Sequence, residues 1–296
     1  MNEHQKEVAD GQRFEFGANW AKFLSVLNDE RIAVAEQSLR EKLGAHDLKG
    51  KRFLDIGSGS GLFSLAARRL GASVHSFDYD MQSVACTAEL KRRYFPEDPD
   101  WKVEHGSVLA SEYLDNLGEW DIVYSWGVLH HTGAQWKALS NVAPLVKKGG
   151  LLFIALYNDQ GKTSQIWKFI KKLYCSSHRT IKNIMVAIIF VRLWGPVALK
   201  ATVRGRTLKP WRDYSQSGRG MSPWHDVVDW IGGYPFEVST PEEVFEFYHQ
   251  KGFQLEKLKT CGGGLGCNEF VFSKHQYKNE EFYKTSLNKI ETASRA

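Results

Sequence analysis

Cysteine is scarce, and Cys86, Cys175, Cys261 and Cys267 are the only four among 296 residues. None forms a CxxC pair and no histidine pair stands near them at zinc spacing, so neither a disulfide framework nor a structural zinc site is expected. Cys261 and Cys267 bracket a glycine loop, "CGGGLGC", where they read as small residues rather than metal ligands. No leader pattern opens the chain, and a cytoplasmic protein with reduced thiols is the expectation. Long apolar runs are missing too. The run at 184–191, "IMVAIIFV", has eight residues, whereas a bilayer span needs about 20. Acid is nearly absent from residues 162–219, which carry 13 Lys and Arg against one acid, Asp213. The glycine-rich stretch "FLDIGSGSGLF" also lacks something: after Gly57 and Gly59 the dinucleotide spacing demands a sixth-position glycine, and Leu62 stands there. A ligand other than a dinucleotide is therefore expected.

The composition is that of a globular protein, 43% apolar and 25% charged, with a net charge of +5. Apolar runs alternate with helical patterns, which predicts βαβ units and a parallel sheet. Strands are expected at "RFLDIG", "SVHSFDYD", "WKVEHG", "DIVYSW" and "LLFIALY". Helices are expected between them, including one over 81–94 and one over 135–146, with "KKGG" as the turn into the fifth strand. Residues 158–236 break the alternation. It resumes at "STPEEVFEFYHQKGF", where Ser239 or Thr240 can cap a helix, and ends in an antiparallel strand pair joined by the glycine loop.

In order and spacing these stretches resemble the class I S-adenosylmethionine-dependent methyltransferases. "LDIGSGSG" is similar to that family's first motif, "FDYD" to its ribose-binding acid, "DIVYSWGVLHHT" to its fourth motif, and "LVKKGGLLFIALYN" to its fifth strand. The resemblance covers residues 51–158 and 239–274, and "SWGVLHHT" narrows it to the small-molecule branch that includes quinone-type O-methyltransferases. It implies an α/β, Rossmann-like seven-stranded sheet in the order 3-2-1-4-5-7-6 with the last strand antiparallel and helices on both faces. The implied organisation is an N-terminal helical cap (1–50), a cofactor-binding core (51–157 plus 237–275), an inserted lid or substrate segment (158–236) and a tail (276–296).

S-adenosyl-L-methionine is the cofactor this resemblance implies. Gly57, Ser58, Gly59 and Gly61 would let the backbone lie against it, Asp55 would accept from its ammonium group, and Asp78, with Tyr79 beside it, would hold the ribose hydroxyls. Ser107 stands where the family often has an acid for the adenine, and Val108 can donate its amide. Ser125 and Trp126 fall at the crevice of the sheet, where Trp126 reads equally as core. Phe14, Phe16 and Trp20 either close over the cofactor or pack the cap.

Methyl transfer needs a base only when the acceptor is protonated. His130 and His131 either supply it or shape the loop after the fourth strand, and His225 is a second candidate. An imidazole near its reference pKa of about 6.5 would make the rate fall on acidification through that value. The expected reaction is transfer to oxygen of a small molecule, with nitrogen, sulfur or an RNA ribose as alternatives. No Asn/Asp-Pro-Pro-aromatic segment follows the fourth strand, which counts against base methylation and against nucleic acid as the partner. Residues 184–199 read as a lid helix, a membrane-surface helix or a dimer contact, and the oligomeric state is not legible.

Overall fold

Period-2 apolar alternation sends neighbouring side chains of a central strand to opposite faces, and the first strand, β1 (Arg52–Ile56), shows the consequence directly. In the computed structural model, Phe53 enters the apolar cluster on one face of the sheet, with Leu65, Leu90 and Trp101, while Leu54 enters the other, with Val123, Leu139 and Tyr248. The structure describes residues 2–25, 27–203 and 223–275, without the side chains of Pro223, His225 and Asp226. The expected tail, 276–296, lies outside the described residues.

The elements follow as α1 (Glu3–Ala9), α2 (Gly17–Leu24), α3 (Asp29–Leu43), β1, α4 (Leu62–Arg69), β2 (Ser73–Asp78), α5 (Met81–Tyr94), β3 (Trp101–His105), α6 (Ser111–Asp115), β4 (Trp120–Trp126), α7 (Gln135–Val142) and β5 (Val146–Tyr157). Three helices of the inserted segment come next, α8 (Lys162–Ser176), α9 (Arg179–Val203) and α10 (Pro223–Gly232), then α11 (Pro241–His249), β6 (Phe253–Lys259) and β7 (Cys267–Lys274). The seven strands run in the order β3-β2-β1-β4-β5-β7-β6. β7 is antiparallel to both its neighbours, and the pairings among β1 to β5 are parallel. This is the strand order and direction that the resemblance implies.

Two boundaries differ from the expectation. "KKGG" is not a turn: β5 begins at Val146, opposite Trp120, and the register shifts before Ile122 meets Leu151, so Lys147–Gly150 bulge within the strand. Gly150 fits there because a Cβ would come within 3.0 Å of the Trp120 carbonyl oxygen. The helix expected to reach 146 stops at Val142, and a 3-10 turn containing Pro144 follows, since proline cannot continue the α ladder. Thr240, rather than Ser239, caps α11, accepting from the Glu243 amide while the Glu243 side chain accepts from the Thr240 amide.

Gly61 fixes the approach of α4 to α5. It caps α4 at φ 79°, and a Cβ there would lie 2.8 Å from the Thr87 Cα. Gly61→Val should therefore cost about 2–4 kcal/mol through left-handed strain and overpacking. Urea unfolding checks this, and an unchanged midpoint would mean that the two helices are free to separate.

Candidate functional site

A cavity of about 820 Å³ opens over the carboxyl ends of the strands, the place where ligands of open α/β sheets bind. The loop after β1 forms its floor. Gly59 adopts φ 56°, a left-handed conformation that glycine enters freely, and a Cβ there would stand 3.1 Å from the Trp20 indole. Ser58 lines the cavity while its Oγ pairs with Thr87 Oγ1 at 2.9 Å. Gly57 and Gly59 line it as well; Gly61 does not and packs against α5 instead.

Asp78, at the tip of β2, ties three pieces of backbone together. Its Oδ2 accepts from the Gly59 amide at 2.9 Å and its Oδ1 from the Asp80 amide at 2.9 Å. Burial pushes its pKa up to about 6 against the pull of those amides. Each carboxylate oxygen keeps a second acceptor site, and Asp78 lines the cavity. Asp80 caps α5 and accepts from the Gly17 amide at 2.8 Å, which clamps the cap helix α2 to the end of the sheet.

Asp55 shares the sheet face of Phe53 and so points toward α4. Trp101 Nε1 donates to Ser76 Oγ at 2.9 Å, Ser76 and Ser64 share a hydrogen bond of 2.7 Å, and Ser64 Oγ donates to Asp55 Oδ2. This internal chain holds one carboxylate oxygen, yet Asp55 also lines the cavity. Burial lifts its pKa to about 7 despite the Ser64 hydroxyl.

The remaining residues divide by orientation. Tyr79, Ser107, Val108, Trp126 and Trp20 line the cavity. Ser107 Oγ accepts from the Leu109 amide at 3.2 Å, and Trp126 is half-buried with its indole donating to Glu269 at 3.4 Å. Ser125 is fully buried and donates to the Ile56 carbonyl at 3.0 Å, away from the cavity lining. Phe14 and Phe16 line the cavity beside Trp20.

Of the two histidines after β4, His131 lines the cavity and His130 does not. His130 is fully buried, and its Nδ1 accepts from the Tyr157 amide at 3.2 Å. His131 Nδ1 donates to the Pro235 carbonyl at 2.7 Å, an assignment the carbonyl partner dictates, so the neutral ring carries its lone pair on Nε2. Burial drives His130 well below the ordinary imidazole range and His131 down to about 3, with the Lys171 and Arg13 charges adding to the effect on His131. Neither titrates near 6.5, which moves any acid limb of the rate away from that value. His225 lies on α10, but its side chain is outside the described residues.

Several lining residues carry no local motif. Arg13 reaches across the cap to the His131 and Thr132 carbonyls at 2.8 and 3.4 Å. Asp229, from α10, accepts from Asn19 of α2, and Tyr157 and Trp230 close the far side. Only the pairing of a cap residue with an inserted helix, more than 200 positions apart, brings Asn19 and Asp229 together.

Asp55 also gives a signed pH dependence. Its folded pKa of about 7 lies above the unfolded 3.8, so the folded state holds the extra proton between those values. Its contribution to stability is present below pH 3.8 and is lost as pH rises through about 7. Asp55→Asn, which still accepts from Ser64, should gain on wild type by up to about 4 kcal/mol between pH 4 and 8. Urea unfolding at both pH values checks this, and a pH-independent difference would contradict the raised pKa.

Residues 28–186 match the family model of the methyltransferase domain. The ubiquinone biosynthesis O-methyltransferase of Rhizobium leguminosarum is 29% identical over 136 residues, 46% of this chain and 52% of that protein. Its counterpart in Sinorhizobium fredii is 33% identical over 137 residues, 46% of this chain and 53% of that one. The chain spans about half the length of the curated relatives it matches. Among solved structures, the complex between the Haloferax volcanii Trm112 methyltransferase activator and the putative methyltransferase aligns at a TM-score of 0.51 and 12% identity, covering 90% of this chain and 98% of that one. The [4+2]-cyclase SpnF aligns at 0.50 and 12% identity, covering 82% and 80%. These two show the shared fold. With 159 of its 296 residues inside the family match, the chain belongs to the methyltransferase-domain family.

Proposed function

We propose that the protein transfers a methyl group from S-adenosylmethionine to an oxygen of a small molecule held between the loop after β4 and the inserted helices. One observation carries this reading: the cavity runs without a break from Gly59 and Asp78 to His131, Tyr157 and Asp229. It has room for a cofactor and an acceptor side by side. The fit to the cofactor rests on the glycine floor, where a Cβ at Gly57 would meet the Val128 side chain at 2.4 Å, and on two carboxylates, Asp55 buried and Asp78 half-buried, with acceptor capacity to spare. Asp78 would hold the ribose hydroxyls and Asp55 the ammonium group, directly or through water. Ser107 and Val108 would meet the adenine beside Tyr79, with Trp20 as cover.

When bound, the sulfonium supplies an electrophilic methyl group for in-line displacement and loses its positive charge in the step. The chain's own part is alignment and proton handling. His131 is neutral over the whole physiological range, and its Nε2 is free by tautomer to accept the acceptor's hydroxyl proton. Loss of the sulfonium charge as the imidazolium forms leaves the net charge of the site unchanged beside Arg13 and Lys171, so the low affinity of His131 for a proton in isolation is offset. His130 supports the loop through Tyr157. The likeness to O-methyltransferases favours oxygen. An acceptor arriving as an anion or thiolate would leave the base idle.

The test is single-turnover transfer to a panel of catechols and hydroquinones, together with cofactor affinity. His131→Ala should slow transfer by about 10²–10⁴-fold and leave cofactor affinity within about threefold. His130→Ala should transfer at a rate close to wild type, and a selective loss in His225→Ala would move the base to the inserted segment. At saturating cofactor the wild-type rate should stay flat from pH 8.5 to 5.5, in keeping with the His131 pKa of about 3. A His131→Ala rate within about fivefold of wild type would remove it from the base role.

A further inference from the structure

Helix α9 runs for 25 residues, Arg179–Val203, and is long and apolar enough to cross a membrane by length and composition. The eight-residue run seen in the sequence is only its middle. The helix is apolar on two opposite sides. Met185, Ile189, Phe190 and Trp194 pack on the cluster of Tyr174, Val227 and Ile231 from α8 and α10. On the other side Ile181, Ile184, Ile188, Val191, Leu199 and Val203 recur at helical spacing, and all are exposed, from 49% at Ile181 to 80% at Val203. A soluble helix ordinarily turns a polar face outward.

Charge decides what covers this face. Arg179, Arg192 and Lys200 are exposed on α9 and Lys172 on α8, and neither helix contains an acid. A second copy seated face to face would set these cations against their own counterparts with no carboxylate to pair them. An anionic surface would pair Arg192, which lies within the exposed stripe, and Lys200, which flanks it. The same helix lines the cavity through Leu193 and Trp194, so lipid surrounding it on every side would strip the packing that joins it to the enzyme. Such a helix lies in the headgroup plane rather than across the bilayer.

We propose that the outward face of α9 docks the protein onto the surface of an anionic lipid bilayer, with its apolar stripe in the headgroup boundary and its Arg and Lys side chains on lipid phosphates. Docking brings the cavity lined by Leu193 and Trp194 to the membrane. It does not depend on which atom is methylated.

The 296-residue chain is floated with vesicles of equal parts phosphatidylglycerol and phosphatidylcholine, and with vesicles of phosphatidylcholine alone. Binding should be confined to the anionic vesicles and should weaken at least about tenfold between about 50 and 500 mM salt. Ile188→Glu/Val191→Glu should weaken it at least about tenfold, and so should Arg192→Glu/Lys200→Glu, which leaves the apolar stripe intact. Both variants should bind S-adenosylmethionine within about twofold of wild type, which verifies their fold and reads the cofactor site separately from docking. Absence of flotation with anionic vesicles overturns the proposal. Flotation indifferent to salt and to Arg192→Glu/Lys200→Glu would assign α9 to insertion instead. Lipid-free self-association abolished by Ile188→Glu/Val191→Glu would assign the face to a second copy.

Discussion

The half-buried carboxylate of Asp78 is the constraint on which the site depends. It sits at the tip of β2, and its two oxygens hold the amides of Gly59 and Asp80. One of those amides belongs to the glycine floor and the other to the residue that caps α5 and clamps α2. Floor, sheet edge and cap are therefore positioned by one side chain. Withdrawing a carboxylate from water is costly unless hydrogen bonds satisfy it, and desolvation raises the Asp78 pKa to about 6 against the backbone amides of Asp80, Gly59 and Tyr79. A ligand that donates to the remaining acceptor sites completes the pairing.

The cap and the inserted helices close the same cavity from opposite sides. Arg13 bonds the carbonyls after β4, Asn19 meets Asp229, and a Cβ at Gly232 would strike the Phe14 ring at 2.2 Å. Closure by elements remote in sequence excludes water and strengthens every electrostatic contact inside. Lys171 belongs to this closure. It is fully buried, donates to the Trp230 carbonyl, lies over the Trp230 ring, and burial brings its pKa down to about 7.

The core was legible in the sequence because its signals are local. Strand, glycine turn and helix follow within one βα unit, and Asp78 lies at the end of the next strand, so the floor and the acid could be read together. Lys147–Gly150 misled because a bulge and a turn use the same small and polar residues. Ser125 stood at the right strand end but faces inward to the Ile56 carbonyl, an orientation that pairing register alone decides. His130 and His131 are neighbours whose difference is the direction of one side chain. Asp229 and Arg13 were hidden by chain separation. The length of α9 was hidden by Lys182 and Arg192, which interrupt the apolar run without ending the helix.

The most direct measurement is the proton count on cofactor binding. Calorimetric titration of the free protein with S-adenosylmethionine, repeated in buffers of different ionisation enthalpy, gives the number of protons released. With Asp55 near 7 and Asp78 near 6 in the free protein, and both ionised against the bound cation, about 1.4 protons should leave these carboxylates at pH 6; at pH 8.5 they should release almost none, and the cofactor's amino group, with a free pKa of about 7.7–8.0, should instead take up a proton. An enthalpy independent of buffer at pH 6 would show that these carboxylates do not receive the cofactor.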